Sequence, residues 1–548
     1  PAAAHHDATK TFPYAVVAQM GEMGLFGLPF PEEYGGMGGD YFALCLTLEE
    51  LARADQSVAI TLEAAVSLGA MPVYRYGSEE QKQRWLPELA SGKSLAAFGL
   101  TEPGGGTDIP GSIRTRAVED NGTWVINGAK AFITNSGTDI TAVVGVAAVT
   151  GRSADGSPEI SVIHVPSGTP GFTVEPGYDK VGWHASDTHP LSFDDVRVPY
   201  ENLLGERGRG YAGFLRILDE GRIAIAAVAT GAAQGCVDES LRYARSRPAF
   251  GSAIIDYQSV SFKIARMQAR AHTARLAYYH AAALLLAGKP FKTEASIAKL
   301  IASEAAMDNA RDATQIFGGA GFMNESGTDI TAVVGVAAVT GRSADGSPEI
   351  SVIHVPSGTT GFTVEPGYDK VGWHASDTHP LSFDDVRVPY ENLLGERGRG
   401  YAGFLRILDE GRIAIAAVAT GAAQGCVDES LRYARSRPAF GSAIIDYQSV
   451  SFKIARMQAR AHTARLAYYH AAALLLAGKP FKTEASIAKL IASEAAMDNA
   501  RDATQIFGGA GFMNESPVAR QYRDSKILEI GEGTSEVQLM LIARALTG

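Results

Sequence analysis

A block of 190 residues occurs twice in tandem, and this duplication constrains the fold more than any other feature of the chain. Residues 137–326 recur as residues 327–516, and the copies differ at one position, where Pro170 of the first copy corresponds to Thr360 of the second. Solenoid repeats are short and divergent, so this block is a recent tandem duplication or an artefact of sequence assembly. Without one copy, 358 of the 548 residues remain, which is a plausible size for a single enzyme subunit.

The composition indicates a globular protein of a reducing compartment. The formal net charge is −11 and 46% of the residues are hydrophobic, so an electrostatic surface for nucleic acid is not indicated. The three cysteines, Cys45, Cys236 and Cys426, form no CxxC pair, which argues against a disulfide framework or a cysteine zinc site. No apolar run approaches the ~20 residues that span a bilayer, and no signal-peptide pattern is present at the start. We expect a bacterial-like cytoplasm or another reducing compartment such as the mitochondrial matrix, without secretion.

The spacing of apolar residues changes along the chain and predicts alternating helical and β segments. The predicted order is an N-terminal helical domain (1–95), a middle β domain (96–205), an incomplete first helical domain (206–326), a repeated part of the β domain (327–395) and a second helical domain (396–548). The predicted fold class is therefore α+β and multidomain. We expect the middle domain to be β-barrel-like and the C-terminal domain to resemble a four-helix bundle, with part of each duplicated.

Two local signals predict turns and a helix boundary. Asn121-Gly122 and Asn127-Gly128 are both typical of hairpin turns, so each is expected to end a strand. Ser78 can cap a charged helix, which we expect to stop before Pro87 because proline removes a backbone donor.

The most distinctive unduplicated stretch lies near the C-terminus around Glu532. This acid stands between Gly531 and Gly533, just before a helix that Thr534 or Ser535 can cap. A carboxylate in that place can face a pocket, or it can be an ordinary exposed acid in a turn. The stretch alone leaves both interpretations open.

Other candidate stretches also have ordinary alternatives. Gly104-Gly105-Gly106 could cradle a phosphate or the edge of a flavin, but it is not GxGxxG and does not predict a Rossmann site. Arg247-Pro-Ala-Phe-Gly251 could bind a pyrophosphate, or simply contain a solvated arginine at a helix boundary. Gln315-Ile-Phe-Gly-Gly319 could be a plain helix end closed by glycine. His5-His6 are interpreted as solvated, and no histidine pair has a convincing ligand spacing, so no metal is predicted.

Taken together and in order, six segments resemble the acyl-CoA dehydrogenase family. They are Leu100-Thr-Glu-Pro-Gly-Gly-Gly-Thr-Asp108, Ile126-Asn-Gly-Ala-Lys-Ala-Phe-Ile-Thr-Asn135, Phe193-Asp-Asp-Val-Arg-Val-Pro199, Arg247-Pro-Ala-Phe-Gly251, Gln315-Ile-Phe-Gly-Gly-Ala-Gly321 and Glu532-Gly-Thr-Ser-Glu536. The resemblance covers nearly the whole one-copy chain, and it starts inside the family's first helical region. Pro1 rather than Met opens the chain, so a preceding piece is expected.

The resemblance implies non-covalently held FAD and removal of two hydrogens from the α and β carbons of an acyl-CoA thioester, as in fatty acid β-oxidation. Glu532 matches the family's catalytic base, and its backbone N–H would hold the thioester oxygen together with a ribityl hydroxyl of FAD. Some relatives carry the base at the position of Gly221 and its copy Gly411, where glycine cannot serve. This departure supports Glu532 as the base.

The other roles implied by the resemblance divide into cofactor and substrate contacts. The FAD contacts would be Phe98, Leu100, Thr101, Thr107, Phe132, Thr134, Arg247, Phe250, Gln258, Gln315 and Gly319, the second-copy residues Arg437, Phe440, Gln448, Gln505 and Gly509, and Thr534 and Glu536. The substrate contacts would be Asp219 and Arg222, or Asp409 and Arg412, together with Gly533. The arginine–phenylalanine set reaches the FAD of a neighbouring subunit in the family. An electron-transfer flavoprotein as acceptor and a homo-oligomer, a tetramer or dimer, are implied as well.

The duplication leaves open which copy completes the active site. Glu532 is attached to the helices of the second copy, whereas the Gly104–Gly106 loop precedes the strands of the first. Because each occurs once, our hypothesis is one composite site per chain. An acyl-CoA oxidase, or a flavin- or acyl-CoA-binding scaffold inactivated by the duplication, are the alternatives. The acyl group is not specified, since Gly531 and Ala249 depart from common family residues.

Overall fold

The computed structural model describes residues 2–321, 332–344 and 346–547. The chain divides into two compact units, of which unit 1 comprises Pro1–Ile316 with Pro438–Ala443 and unit 2 comprises Phe317–Arg437 with Ile444–Gly548. The predicted junction of the copies, at residues 326 and 327, lies outside the described residues. Most of the first copy thus belongs to unit 1 and most of the second copy to unit 2.

Unit 1 opens with six helices, and a turn of π-helix, Ala64–Ala70, joins the fourth to the fifth. They are α1 Ala2–Thr9, α2 Tyr14–Glu22, α3 Tyr41–Ala54, α4 Gln56–Glu63, α5 Met71–Tyr76 and α6 Glu79–Ala90. Side-chain caps start several of them, since Asp40 accepts from the Ala43 N–H and Asp55 from the Ser57 N–H. The stretch Gln56–Tyr76 is long and apolar enough to cross a membrane, but 89% of its most apolar part is buried in the protein, as core helices of soluble proteins also are.

The predicted stop before Pro87 is wrong. Ser78 begins α6 with a capping box in which it accepts from the Gln81 N–H at 3.2 Å. The helix then continues through Pro87 to Ala90. Leu86 and Leu89 are buried on either side of the proline, so tertiary packing outweighs the one missing backbone donor.

The middle of unit 1 is a mixed sheet of eight strands with a short helix, α7 Ile109–Ser112. The strands are β1 Leu95–Gly99, β2 Arg116–Asp120, β3 Thr123–Thr134, β4 Thr141–Arg152, β5 Pro158–Pro166, β6 Phe172–Val174, β7 Thr188–Pro199 and β8 Leu203–Leu204. Their order is β6-β7-β3-β2-β4-β5-β8, with β1 paired in parallel to β4. No pairing among the described strands closes this path into the expected barrel. Its apolar core includes Trp124, Val144 and Leu191, all with no exposed area.

One of the two predicted turns is correct and the other is wrong. Asn121-Gly122 forms the turn between β2 and β3, with φ of +52° and +80°. Asn127-Gly128 instead lies within β3 as an irregularity in its pairing with β7. There a Cβ on Gly128 would come within 2.5 Å of the Thr115 Oγ1, so glycine is required by close packing rather than by chain reversal.

Three long helices complete unit 1, with a small hairpin between the first two. They are α8 Gly210–Ser246, α9 Gln258–Leu286 and α10 Lys292–Phe317, and the hairpin strands are β9 Pro248–Ala249 and β10 Ser252–Ala253. Buried alanines of all three helices share one core with the N-terminal helices. Small residues allow the helices to approach closely. The side chain of Glu49 on α3 enters this core and binds the Arg275 Nε of α9 at 2.7 Å.

Unit 2 consists of a few strands and five helices. The strands are β11 Val333–Arg342, β12 Pro348–Pro356, β13 Phe362–Val364, β14 Leu381–Phe383 and β15 Leu393–Leu394, and the next hairpin, β16 Pro438–Ala439 and β17 Ser442–Ala443, belongs to unit 1. The helices are α11 Gly400–Ser436, α12 Gln448–Leu476, α13 Lys482–Phe507, α14 Pro517–Ile530 and α15 Ser535–Thr547. Val518 and Leu528 of α14 are buried against the alanine-rich faces of α11–α13. The coarse prediction of an α+β multidomain chain with helical ends and a mixed sheet is confirmed.

Candidate active site

Glu532 lies in the tight turn that connects α14 to α15 in unit 2. Its backbone is left-handed, with φ of +55°, and Gly533 follows with φ of +91°. Thr534 caps α15, since its Oγ1 accepts from the Val537 N–H at 3.4 Å. A left-handed conformation is uncommon for a residue with a side chain and needs surrounding contacts to hold it.

The Glu532 carboxylate faces Gly411 on α11. A Cβ built on Gly411 would lie 2.8 Å from Glu532 Oε2, closer than carbon and oxygen atoms pack. The two positions that the sequence considers for a base therefore converge on one place. Glycine at 411 leaves room for the acid, and Glu532 itself is half-buried.

Three side chains of unit 2 hold the carbonyls of this turn. Gln538 Nε2 donates to Glu532 O at 3.2 Å and to Gly533 O at 2.9 Å. Lys489 Nζ donates to Gly533 O at 2.8 Å, and Arg412 Nε to Glu532 O at 3.4 Å. Within the described part of the chain, the Glu532 N–H has no acceptor. Lys489 and Gln538 are site residues that the sequence analysis missed.

The structure distinguishes the two predicted aspartate–arginine pairs. Asp409 and Arg412 form an ion pair on α11, and Arg412 is buried against the Glu532 turn. Asp219 and Arg222 form the same pair on α8, but in unit 1, where the arginine is partly exposed. Of the two pairs, Asp409–Arg412 is the one brought into contact with the predicted base.

The predicted flavin contacts of the first 135 residues come together in unit 1. Phe98 is on β1, and its ring stacks on that of Phe214 of α8, with the ring centroids 3.9 Å apart. Thr101 O accepts from the Ala131 N–H at 2.8 Å, which ties the loop after Leu100 to β3. Phe132 and Thr134, both half-buried, are on that strand. Phe132 has φ of +62°.

A buried ion pair that the sequence analysis missed holds the glycine-rich loop. Lys130 Nζ lies 2.8 Å from Glu102 Oε1, and both side chains are almost fully buried. Glu102 also accepts the N–H groups of Arg114 at 2.6 Å and Thr115 at 3.0 Å. Burial alone would raise the pKa of Glu102, but Lys130 and these donors outweigh it and lower the pKa. Glu102 and Lys130 both lie inside segments that resemble the family. That resemblance was the sequence signal that could have indicated them.

The residues of this region fit a planar group such as an isoalloxazine. A Cβ on Gly106 would come within 3.0 Å of Thr101 Cγ2, so only a bare backbone passes there. Thr107 is exposed at the end of the same loop. Asn135 Oδ1, directly after Thr134, is buried without a partner, so it could accept a hydrogen bond from a bound group.

The arginine–phenylalanine motif lies at a helix end in each copy. Arg247 follows α8 and is exposed, and Phe250 is 88% exposed in the hairpin, with Gln258 at the start of α9. Arg437 and Gln448 occupy the same positions beside α11 and α12. Phe440 is in the part of the second hairpin that belongs to unit 1, where its N–H donates to Asp108 Oδ2 at 2.8 Å.

The remaining predicted FAD contacts are at helix ends. Gln315 is in the last turn of α10, and Gln505 is in the last turn of α13. Gly508, with φ of +61°, closes α13 with its N–H donating to Gln505 O, as the ordinary interpretation proposed. Gly319 and Gly509 follow in 3₁₀ turns, and Glu536 is in the first turn of α15.

Comparison with known proteins identifies the family. The acyl-CoA dehydrogenase models match this chain at residues 1–93 for the N-terminal domain, 97–196 for the middle domain, and both 208–355 and 398–547 for the C-terminal domain. The probable acyl-CoA dehydrogenase YngJ of Bacillus subtilis (strain 168) is 47% identical over 329 residues, covering 60% of this chain and 86% of that protein. The short-chain specific acyl-CoA dehydrogenase of Megasphaera elsdenii is 42% identical, covering 59% and 85%.

A solved structure supports the cofactor. The FAD complex of PigA has a TM-score of 0.55 and 28% identity, covering 58% of this chain and 83% of that one. The chain belongs to the acyl-CoA dehydrogenase family, whose members are FAD-dependent oxidoreductases acting on acyl-CoA. The doubled match to the C-terminal domain agrees with the duplicated block. Within the described residues, no cluster of three or more His, Cys, Asp or Glu could hold a metal ion.

Proposed function

We propose that Glu532 is the base of an acyl-CoA dehydrogenase reaction, taking the α proton of the thioester. The observation that carries this proposal is the position of its carboxylate against Gly411, at the place where the two candidate base positions converge. The α carbon of a thioester is a weak acid. Its proton can be removed only if the developing enolate charge is stabilised on the thioester oxygen.

The turn supplies a donor for that oxygen. The Glu532 N–H has no acceptor among the described residues, so it is available to the thioester carbonyl. Because it is a backbone group in a turn held by Gln538 and Arg412, little reorganisation accompanies the reaction. We assign Asp409 and Arg412 to the substrate side of this turn, together with Gly533.

We further propose that FAD is held in unit 1 by Phe98, Leu100, Thr101, Thr107, Phe132 and Thr134. The chemistry supplied by the flavin when bound is acceptance of the hydride that leaves the β carbon. Phe132 would pack on the ring, Thr134 would offer it a hydroxyl, and the Glu102–Lys130 pair would keep the loop in place. The glycine-rich loop occurs once, as Glu532 does, so the proposal is one flavin per chain.

Substrate length, electron acceptor and assembly are also proposals. A short-chain acyl-CoA is favoured because the Megasphaera elsdenii relative is named as short-chain specific. An electron-transfer flavoprotein is the proposed acceptor, and a homo-oligomer in a reducing compartment is the proposed state. The acceptor and the homo-oligomer follow from the resemblance of the six segments to the family, and the compartment from three cysteines that form no CxxC pair.

Anaerobic bleaching of the FAD-loaded protein by acyl-CoAs tests the proposal. Wild type should bleach, fastest with short chains, and Glu532→Gln should bleach at least about 10³-fold more slowly because the amide cannot take the proton. Bleaching of Glu532→Gln at the wild-type rate would reject the base assignment. Rapid reoxidation of the reduced flavin by oxygen would favour an acyl-CoA oxidase, and two flavins per chain would reject the single site.

A further inference from the structure

Lys489 is a fully buried lysine whose ammonium contacts the predicted catalytic turn. Its side chain on α13 has no exposed area, and Nζ donates to Gly533 O at 2.8 Å. The same lysine in the first copy is Lys299 on α10, which is exposed. The two lysines have identical neighbours in sequence for many residues on either side. The burial of Lys489 therefore comes from its surroundings in unit 2.

Burying an ammonium is costly unless charges or acceptors surround it. The charges that act on Lys489 are Arg412 of α11, Glu529 of α14, Glu532 of the turn and Glu536 of α15. Lys526 pairs with Glu529 at 2.8 Å on α14. Burial and Arg412 lower the pKa of Lys489 to about 8, while the three carboxylates act in the opposite direction. The charge of this lysine therefore changes near neutral to mildly alkaline pH.

The backbone that Lys489 contacts is also where the turn has its least favourable conformation. Glu532 is held in a left-handed conformation and Gly533 follows it. Gln538 also donates to Gly533 O, so the carbonyl keeps one donor when Lys489 is removed. What Lys489 adds is a second, charged donor to the carbonyl of the residue that directly follows the proposed base.

We propose that Lys489 is a positioning residue for Glu532, which fixes the Gly533 carbonyl and so holds the catalytic turn in place. The inference rests on the proposed role of Glu532. It assigns to the second copy a function that the identical lysine of the first copy does not have. Without this donor the carboxylate is held less precisely for proton abstraction, so the reaction slows.

The test uses the full-length FAD-loaded protein with Lys489→Met, Lys489→Arg and the matched control Lys299→Met. Flavin bleaching by a short-chain acyl-CoA is measured against substrate concentration and pH. For Lys489→Met we expect the limiting rate to fall about tenfold, as for loss of a charge-assisted hydrogen bond. The substrate concentration giving half the limiting rate should stay within about twofold, and the fall in rate above about pH 8 should disappear. Lys299→Met should match wild type.

The pH profiles of wild type and Lys489→Arg decide the case even if Lys489→Met does not fold, and hydrogen exchange adds a second measurement if it does. In wild type the bleaching rate should fall as pH rises through about 8, and Lys489→Arg, which stays charged, should lose that alkaline limb. Amide hydrogen exchange of residues 531–538, without substrate, should be faster in Lys489→Met and unchanged in Lys299→Met. An alkaline limb retained in Lys489→Arg, or an unchanged pH profile in a folded Lys489→Met, overturns the inference. If Glu532→Gln bleaches normally, the base assignment fails instead.

Discussion

Leu191 and Leu381 occupy the same position of the duplicated block, yet one is a core residue and the other lies at the surface. Leu191 on β7 has no exposed area, because β3 and β6 pair on both sides and its side chain enters the sheet core. Leu381 on β14 is 37% exposed, and β14 is three residues long, whereas β7 has twelve. Residues 1–136, which supply β1, β2 and β3, precede the duplicated block. Identical sequence forms a strand of full length only where its partners are present.

The helices show the opposite difference, because residues that are buried in the second copy have more exposed equivalents in the first. Those of the second copy receive α14 and α15, and there Lys489 and Arg412 become buried, whereas Lys299 is exposed and Arg222 partly exposed. Those of the first copy pack on α3. The first copy thus completes the sheet and the second copy completes the predicted catalytic turn. Paired substitutions at equivalent positions separate these two roles without any change of local sequence.

The largest difference is expected for Leu191→Ala against Leu381→Ala. Truncating Leu191 leaves a cavity in the sheet core, so the free energy of unfolding of unit 1 should fall by about 2–5 kcal/mol. Leu381→Ala should cost under about 1 kcal/mol, because that side chain is already partly in water. Denaturant unfolding followed by tryptophan fluorescence measures both effects, because Trp85, Trp124 and Trp183 are in unit 1 and Trp373 is in unit 2. Equal losses from the two variants would mean that β14 is packed as β7 is.

The second comparison is between the equivalent glycines Gly411 and Gly221. Each lies two residues after the aspartate of its aspartate–arginine pair. Gly411→Ala places a methyl group 2.8 Å from the Glu532 carboxylate, which must move, so flavin bleaching should slow about tenfold or more. In Gly221→Ala the new Cβ meets Glu63 Oε1 at 3.7 Å, an ordinary contact. That variant should keep its rate and gain up to about 1 kcal/mol of helix stability. A wild-type rate for Gly411→Ala would contradict the proposed position of the base.

The duplicated cysteines allow a chemical comparison. Burial raises the pKa of Cys236 to about 11 and that of Cys426 to about 12, and Cys426 is fully buried in the cluster that contains Val518 of α14. Thiolate fraction and access both favour Cys236, so it should be alkylated at least about tenfold faster at pH 8. The two cysteines give identical tryptic peptides, so the rates are compared in Cys236→Ser and Cys426→Ser proteins. Equal rates would show that α14 does not shield Cys426.

The smallest effect is expected at a histidine that has an acidic partner in one copy. His184 Nδ1 lies 2.9 Å from Asp7 Oδ1, and this hydrogen bond raises the pKa of His184 and lowers that of Asp7. The raised histidine pKa gives stability that is complete below pH 6.5 and lost as pH rises through the folded value. The lowered aspartate pKa gives stability that is complete above about pH 3.8 and lost on further acidification.

Asp7→Asn should therefore cost about 0.5 kcal/mol near pH 5.5, a value kept small because the pair is partly exposed, and nothing near pH 9. Thermal unfolding at the two pH values measures the difference. His374, the equivalent residue, has no carboxylate on Nδ1 in the described part of the chain, so this pair distinguishes the first copy from the second. A cost for Asp7→Asn that is the same at both pH values would show that ionisation plays no part.

The sequence predicted the elements whose pattern is local. The start of α6 follows from the capping side chain of Ser78, and the turn at Asn121-Gly122 follows from its φ requirement. The sequence pattern gave a wrong prediction where packing against other residues determined the local structure. Gly128 is set by Thr115, and the helix through Pro87 is held by buried leucines.

The residues of the candidate site also divide into those that the sequence predicted and those that it did not. Glu532 and the glycine-rich loop were recognisable because their segments match a family. Lys489 was not, since the sequence around it is the same as that around Lys299 and the difference lies entirely in which helices cover it. Glu102 and Lys130 were visible as parts of family segments, but their pairing joins residues on separate strands and loops. A single sequence does not reveal such contacts.

The short length of β14 affects how the two copies of the block are expected to evolve. Substitutions along residues 381–388 that would ruin β7 cost little in the second copy, so selection against them is weak there. Lys489, Arg412 and Gly411 are under the opposite pressure, while their first-copy equivalents are free to drift. We therefore expect substitutions to accumulate in the strands of the second copy and, in the first copy, at the helix positions equivalent to the contacts of the Glu532 turn. The near-identity of the block should then be lost.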